Sequence, residues 1–285
     1  MNFYIALEQG QLLAKLSRPQ NIVYSGLLCS LTAFLLKASI LKSITSYFTI
    51  LILYAIAASY NNLSDIKTDK LNSRFDNPLI SNKISKNTLK TFFSFCFIAL
   101  LMTQLLLLQP SSIYICLIYL VLAILYSHPT IKLKSRSWFA IFVLSICYGC
   151  LPFLLGLAQT KTLYSFKICE FLIFQILLLF PVLLAKDYKD IKGDRLTNKL
   201  TPLIVYGQNI VIKVARLSLF VASFLYLYLS IKNKLNIPLS ILMILIYISL
   251  GYKLHKNKGQ LNKILRDILT IDMLLLSLEL LNVLS

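Results

Sequence analysis

Two stretches of this 285-residue chain concentrate its carboxylates. Of 11 Asp and Glu residues, three fall in 61–90 (Asp65, Asp69, Asp76) and three in 186–209 (Asp187, Asp190, Asp194). Asp65 and Asp69 are spaced i and i+4, as are Asp190 and Asp194. On a helix that spacing puts each pair on one face. Two like charges so placed cost about 0.2–0.5 kcal/mol unless a cation lies between them. Hard divalent cations take oxygen ligands, and Mg²⁺ commonly uses carboxylates together with substrate phosphates. Lys and Arg are interleaved with these acids, and such bases hold the phosphate oxygens that a metal leaves over. Acids alone would suggest a cation channel; acids mixed with bases suggest a metal–phosphate complex.

The two stretches echo one another. Asp65-Ile66-Lys67-Thr68-Asp69-Lys70-Leu71-Asn72-Ser73-Arg74 runs parallel to Asp190-Ile191-Lys192-Gly193-Asp194-Arg195-Leu196-Thr197-Asn198-Lys199, with five of ten positions identical and two exchanging Lys with Arg. After a one-residue shift, Pro78-Leu79-Ile80 matches Pro202-Leu203-Ile204. This reads as an internal repeat whose two copies face each other across one site.

The elements that must position these copies are read from composition. Hydrophobic residues make up 58% of the chain and charged residues 14%, and the mean hydropathy is +0.75. A soluble domain is roughly half apolar and about a quarter charged, so a disordered chain is excluded and an ordinary soluble enzyme is disfavoured. A membrane-spanning helix needs about 20 mostly apolar residues. Nine apolar runs follow residue 20, at about 21–37, 43–60, 89–109, 111–127, 138–159, 168–186, 210–231, 236–252 and 268–284. The break after the third rests on the turn signature Gln109-Pro110-Ser111-Ser112. The expected class is therefore all-α: a polytopic membrane protein with nine transmembrane helices around a central cavity, forming a single domain over 1–285. Its acidic loops are 61–88 and 187–209. Residues 1–20 are expected to form an interfacial helix through Phe3, Ile5, Leu7, Leu12, Leu13 and Leu16 rather than a cleavable signal.

Loop charge orients the chain. With 29 Lys and Arg the net charge is +18, and 23 of these bases fall on the side that carries the N-terminus. The positive-inside rule makes that side cytoplasmic. Both acidic stretches follow even-numbered spans, so both emerge there. The expected location is the cell membrane, with the site facing the cytoplasm. Nucleic acid is excluded as a partner because the bases are split among short loops, and no obligate protein partner is evident. The six cysteines, Cys29, Cys96, Cys116, Cys147, Cys150 and Cys169, lie in or beside apolar runs and read as small buried hydrophobes. His128 and His255 are far apart in sequence, and zinc chemistry has no support. Trp138 reads as an interface anchor.

At these residues the sequence resembles the UbiA-type intramembrane prenyltransferases. Their first motif, N-D-x-x-D-x-x-x-D, is matched by Asn61-Asn62-Leu63-Ser64-Asp65-Ile66-Lys67-Thr68-Asp69, with Asn62 in place of an aspartate. Their second, D-Y-x-D-x-x-G-D, is matched by Asp187-Tyr188-Lys189-Asp190-Ile191-Lys192-Gly193-Asp194. Lys199, Thr201-Pro202 and Gly207 resemble the tail that follows it. Tyr126-Ser127-His128-Pro129 with Lys132-Leu133-Lys134 resembles the stretch after the family's fourth helix, and Arg18-Pro19 the opening of its first.

The resemblance implies transfer of a prenyl group from a polyprenyl diphosphate to a lipophilic or amphiphilic acceptor, with Mg²⁺ as cofactor. It implies that Asp65, Asp69, Asp190 and Asp194 hold the metal, with Asn61 and Asp187 as further ligands or as supports for them. Arg18, Asn61, Arg74, Lys132, Lys134 and Lys199 would bind substrate, and Tyr126 and Ser127 would line the reacting end. For Lys132 and Lys134 the competing explanation is the basic bias of cytoplasmic loops; for Tyr126 it is an interfacial belt. Asn62 can still ligate through its carbonyl, with one charge fewer. Phosphoribosyl transfer to a polyprenyl phosphate is the alternative within the superfamily. A transporter is the alternative outside it, although ionisable residues are almost absent from the central spans, Glu279 being the main exception. A CDP-alcohol phosphotransferase motif is absent.

Overall fold

The computed structural model describes residues 2–17, 22–73, 75, 77–107, 109–160, 166–185 and 191–232, together with 241 and 245. Among them every regular element is helical, apart from an isolated parallel bridge between Arg136 and Leu200. The helices are α1 (Asn2–Ser17), α2 (Val23–Leu35), α3 (Ile40–Ser64), α4 (Ile66–Leu71), α5 (Lys86–Leu107), α6 (Pro110–Ser127), α7 (Ser137–Ser145), α8 (Leu151–Leu157), α9 (Phe166–Ala185), α10 (Ile191–Leu196) and α11 (Pro202–Lys232).

Helix boundaries follow local chemistry. Ser39 caps α3 by accepting the Lys42 N–H at 3.3 Å, after a left-handed turn at Lys37. Ser85 accepts the Thr88 N–H at 3.0 Å ahead of α5. Pro110 opens α6 at the position where a helix has no use for an N–H, as the turn signature predicts. The expected run 138–159 is realised as α7 and α8 joined through a π-turn, Ile146–Cys150, into one 21-residue span. The expected run 210–231 begins earlier, because α11 starts at Pro202 and carries a non-helical residue at Gly207 (φ 76, ψ 165). The apolar segment 202–206 is cut off from the expected run by Gly207, Gln208 and Asn209, so the run read from sequence starts only after them.

Among the described residues, five helical segments are long and apolar enough to cross a bilayer: α3, α5, α6, α7–α8 and α11. Val23–Leu35 and Ile168–Leu184 are shorter apolar helices. These seven cover the first seven expected runs. The runs at 236–252 and 268–284 lie outside the described residues.

Two apolar cores share a common wall. One joins α2, α7–α8, α9 and α11 through residues such as Leu28, Phe153, Phe174 and Tyr226. The other joins α2, α3, α5, α6 and α7–α8 through Cys29, Leu53, Tyr119 and Leu155. Tyr148 and Leu154 touch both. Gly156 lets α8 approach α2 closely, since a Cβ there would collide with the Cys29 carbonyl and with Thr32. The Tyr24 hydroxyl donates to Gln175 Oε1 inside the first core, and Lys232 meets Glu170 at 2.8 Å where α11 ends beside the start of α9. Outward faces are apolar, with Phe95, Met102 and Leu105 of α5 and Leu117 and Val121 of α6 exposed as lipid-facing surface.

One expectation is corrected and two are extended. Cys169 is exposed, unlike the other five cysteines, because it lies on the outward side of α9 beside buried Ile168 and Glu170. Helix α1 does more than lie at an interface: Leu16 is buried with Leu79, Ile84 and Leu89, and Leu12 and Leu13 pack against them. Trp138 stacks on Tyr206 at 5.3 Å and on Phe180 at 6.1 Å, so it pins α7 to α11 and α9 rather than only marking an interface.

Candidate functional site

The first acidic stretch sits where α3 gives way to α4. Asp65 is the joint between them, and its carbonyl accepts the Asp69 N–H at 2.8 Å, so the turn of helix carries Asp69 onward. Asn61, Ser64 and Asp65 occupy the last turn of α3 and its cap. Opposite them stands Lys134, in a short 3₁₀ turn (Leu133–Ser135) entered through a left-handed residue, Lys132. Its Nζ donates to Asp65 Oδ1 at 2.6 Å, to Ser64 Oγ at 2.9 Å and to Asn61 Oδ1 at 3.4 Å. Ser127, the last residue of α6, donates to the same Asn61 oxygen at 2.8 Å.

Lys134 is 7% exposed, so its ammonium is largely cut off from water. Burial pulls its pKa below the usual lysine value; Asp65 opposes that pull, and the positive charges of Lys199 and Lys132 reinforce it. Lys199 comes from the second acidic stretch. Its Nζ donates to both Asp194 oxygens, at 3.0 and 3.2 Å, and Asp194 is 1% exposed. Two lysines from distant parts of the sequence thus share one electrostatic environment, each paired with an aspartate of a different motif.

Direct contacts join the two stretches. The Gly193 N–H donates to Asn72 Oδ1 at 2.6 Å, docking α10 on α4. A Cβ on Gly193 would collide with the Asn72 side chain, which is why the repeat has glycine here and Thr68 at the matching position. A second tie lies at the lysines: the Ser137 N–H donates to the Leu200 carbonyl at 2.8 Å alongside the Arg136–Leu200 bridge. The bridge therefore lies within two residues of Lys134 on one strand and next to Lys199 on the other. Ser137 Oγ and Thr201 Oγ1 flank it, buried and without a hydrogen-bond partner.

The remaining sequence-derived residues fall out as follows. Asp69 is buried, and its Oδ2 accepts from Asn77 Nδ2 at 3.0 Å; Asn77 Oδ1 in turn accepts the Leu79 N–H. Asn62 is buried and donates through Nδ2 to the Leu16 carbonyl at 3.2 Å. Its side chain docks α1 through the amide N–H, a role that the motif alone does not announce. Tyr126 is half-buried against the second core and lies close to Tyr148. Lys132 is exposed. Arg18, Arg74, Asp76, Asp187 and Asp190 lie outside the described residues. Ser64, Asn72 and Asn77 take part in the site without having been singled out by sequence. Asn72 stood inside the echo and Asn77 in an Asn-Pro turn, so both carried a signal.

The donor set suits a hard cation. Asn61, Ser64, Asp65, Asp69 and Asp194 offer only oxygens, the ligand type that Mg²⁺ prefers over thiolate or imidazole. Among the described residues no three His, Cys, Asp or Glu side chains converge on one point. Among the described residues, the Lys134 ammonium meets the oxygens of Asn61, Ser64 and Asp65, and the Lys199 ammonium meets those of Asp194.

Solved structures share this architecture at low identity, a likeness of fold. That of a digeranylgeranylglyceryl phosphate synthase in membranes aligns over 97% of this chain and 99% of its own, with a TM-score of 0.69 and 21% identity. A UbiA homologue from Archaeoglobus fulgidus bound to DMAPP and Mg²⁺ aligns over 94% of this chain and 98% of its own, with a TM-score of 0.70 and 14% identity. The apo UbiA homologue from Aeropyrum pernix K1 aligns over 94% and 96%, with a TM-score of 0.71 and 16% identity. No curated protein sequence matches this chain. The sequence pattern of the UbiA prenyltransferase family matches residues 23–266, the greater part of the chain and both acidic stretches, and the chain belongs to that family.

Proposed function

We propose that this membrane protein transfers a prenyl group from a polyprenyl diphosphate to a lipophilic or amphiphilic acceptor in a Mg²⁺-dependent reaction that releases diphosphate. The observation that carries this reading is the docking of α10 on α4 through Gly193 and Asn72, with Lys134 and Lys199 sharing one environment above paired aspartates. The Archaeoglobus fulgidus homologue's complexes with DMAPP and Mg²⁺ and with GPP and Mg²⁺ support it by analogy.

In this reading Asp65, Asp69, Asp190 and Asp194 hold Mg²⁺, with Asn61 and Asp187 as further ligands or supports. Bound there, the metal would neutralise charge on the leaving diphosphate. Arg18, Arg74, Lys132, Lys134 and Lys199 take up the other phosphate oxygens. Tyr126 and Ser127 stand at the reacting end, where Ser127 already fixes the Asn61 amide. The apolar walls of the two cores keep water from the allylic carbon as its bond to oxygen lengthens. The residues 1–285 work as one unit, with the site on the cytoplasmic face of the cell membrane. The acceptor is an aromatic ring, a tetrapyrrole carboxylate or a glycerol-based lipid precursor.

The test uses purified protein with Mg²⁺ and a labelled polyprenyl diphosphate, assayed for diphosphate release with each acceptor class. Release is expected, and Asp69→Ala or Asp190→Ala should lower it by orders of magnitude without loss of membrane insertion. Wild-type rates in both variants would refute the metal assignment. Mass spectrometry of lipids that accumulate or vanish on deletion identifies the acceptor.

A further inference from the structure

Lys134 sits where a cation belongs. Its Nζ has three side-chain oxygens around it, from Asn61, Ser64 and Asp65, at 2.6 to 3.4 Å. Lys199 does the same for Asp194, bridging both carboxylate oxygens. Asp194 and Asp69 are almost fully buried, and Asp65 is 17% exposed in its side chain. A buried carboxylate needs a partner charge, since leaving one unpaired is strongly destabilising. Lys134 supplies that partner to Asp65 and Lys199 to Asp194. They are also the bases that phosphate oxygens require, and one ammonium cannot fully serve a carboxylate and a diphosphate at once.

We propose that Lys134 and Lys199 are built-in counter-ions that occupy the oxygen clusters until substrate arrives, and that they then pass to the diphosphate as divalent metal takes over the aspartates. This rests on the metal–diphosphate reading above. Its consequence is linkage: metal alone must displace Lys134 from its carboxylate partner Asp65 and leave that buried ammonium without it, whereas metal together with diphosphate gives it a new partner. Metal and diphosphate therefore bind with positive cooperativity, and metal alone binds poorly. The backbone tie between Ser137 and Leu200 holds the segments that carry the two lysines against each other, so both ammoniums stand within reach of one diphosphate in this proposal. The unpartnered hydroxyls of Ser137 and Thr201 beside that tie are donors for which an incoming phosphate supplies acceptors.

The experiment measures Mn²⁺ binding to the full chain in detergent by the loss of the free-ion EPR signal, with no diphosphate present. Lys134→Met and Lys199→Met should each bind Mn²⁺ at least about tenfold more tightly than wild type, because the competing ammonium has gone. Equal affinity in wild type and both variants, abolished in each background by Asp65→Asn with Asp194→Asn, overturns the counter-ion proposal and leaves the metal site standing. Mn²⁺ binding that ignores the aspartate substitutions in every background overturns the metal reading itself, and this proposal with it. A measurement on the unaltered chain guards against variants that do not fold. Mg²⁺ and inorganic pyrophosphate added together should raise the thermal unfolding temperature by more than the sum of their separate effects; additive shifts overturn the proposal.

Discussion

Asn62 shows how one side chain is decided by its neighbours rather than by its motif. Its amide bonds the Leu16 carbonyl of α1, and it is buried. An aspartate there has no N–H to give and would face a carbonyl with a buried charge. Asn62→Asp, which restores the motif's usual residue, should therefore lower stability by about 1–3 kcal/mol without tightening Mn²⁺ binding. Thermal unfolding and EPR titration of the same preparation check both halves of that statement. At Asp65 and Asp194 the expectation is different. Asp65→Asn and Asp194→Asn keep the shape but remove the charge, and diphosphate release should fall by about 10²–10³-fold, the scale of losing one group that stabilises transition-state charge. Single-turnover assays read this directly.

Helix contacts give two glycine predictions with different outcomes. At Gly193 the obstacle to a Cβ is the Asn72 side chain, and at Gly156 it is the Cys29 backbone carbonyl together with Thr32. A side chain can be cut back, but a backbone cannot. Gly193→Ala should cost about 1–3 kcal/mol by overpacking, and Asn72→Ala in the same chain should recover much of the steric part. Gly156→Ala should cost a similar amount, and Thr32→Ala should not recover it. Thermal unfolding of the two double-mutant cycles separates these cases. The glycine at 193 was legible as a break in the echo, where Thr68 stands opposite it. Its reason was not legible, because the residue that fills the space lies 121 positions earlier in the chain.

Across the whole molecule, the orientation expected from basic residues has a direct test. Lys37 lies in the exposed turn between α2 and α3, and Asn198 in the exposed turn after α10. Single cysteines at these positions, in a chain otherwise free of reactive thiols, should react with a membrane-impermeant maleimide from opposite faces. Asn198→Cys should label from the cytoplasmic side in inverted vesicles and Lys37→Cys from the outside of intact cells. Labelling of both from one face would overturn the placement of the site.

Composition and period were enough to determine a lipid-embedded helical protein, its first seven apolar segments, the break at Pro110 and the two aspartate stretches on one end of the bundle. They suffice because hydropathy over about 20 residues and i, i+4 spacing are local properties of a chain. Only the tertiary structure decided that Lys134 pairs with Asp65, that Asn62 belongs to α1, that Asn77 holds Asp69, and that Gly193 closes on Asn72. Each of those contacts depends on where separate helices end in space, and a hydrogen bond of about 3 Å is sensitive to shifts that no sequence period encodes.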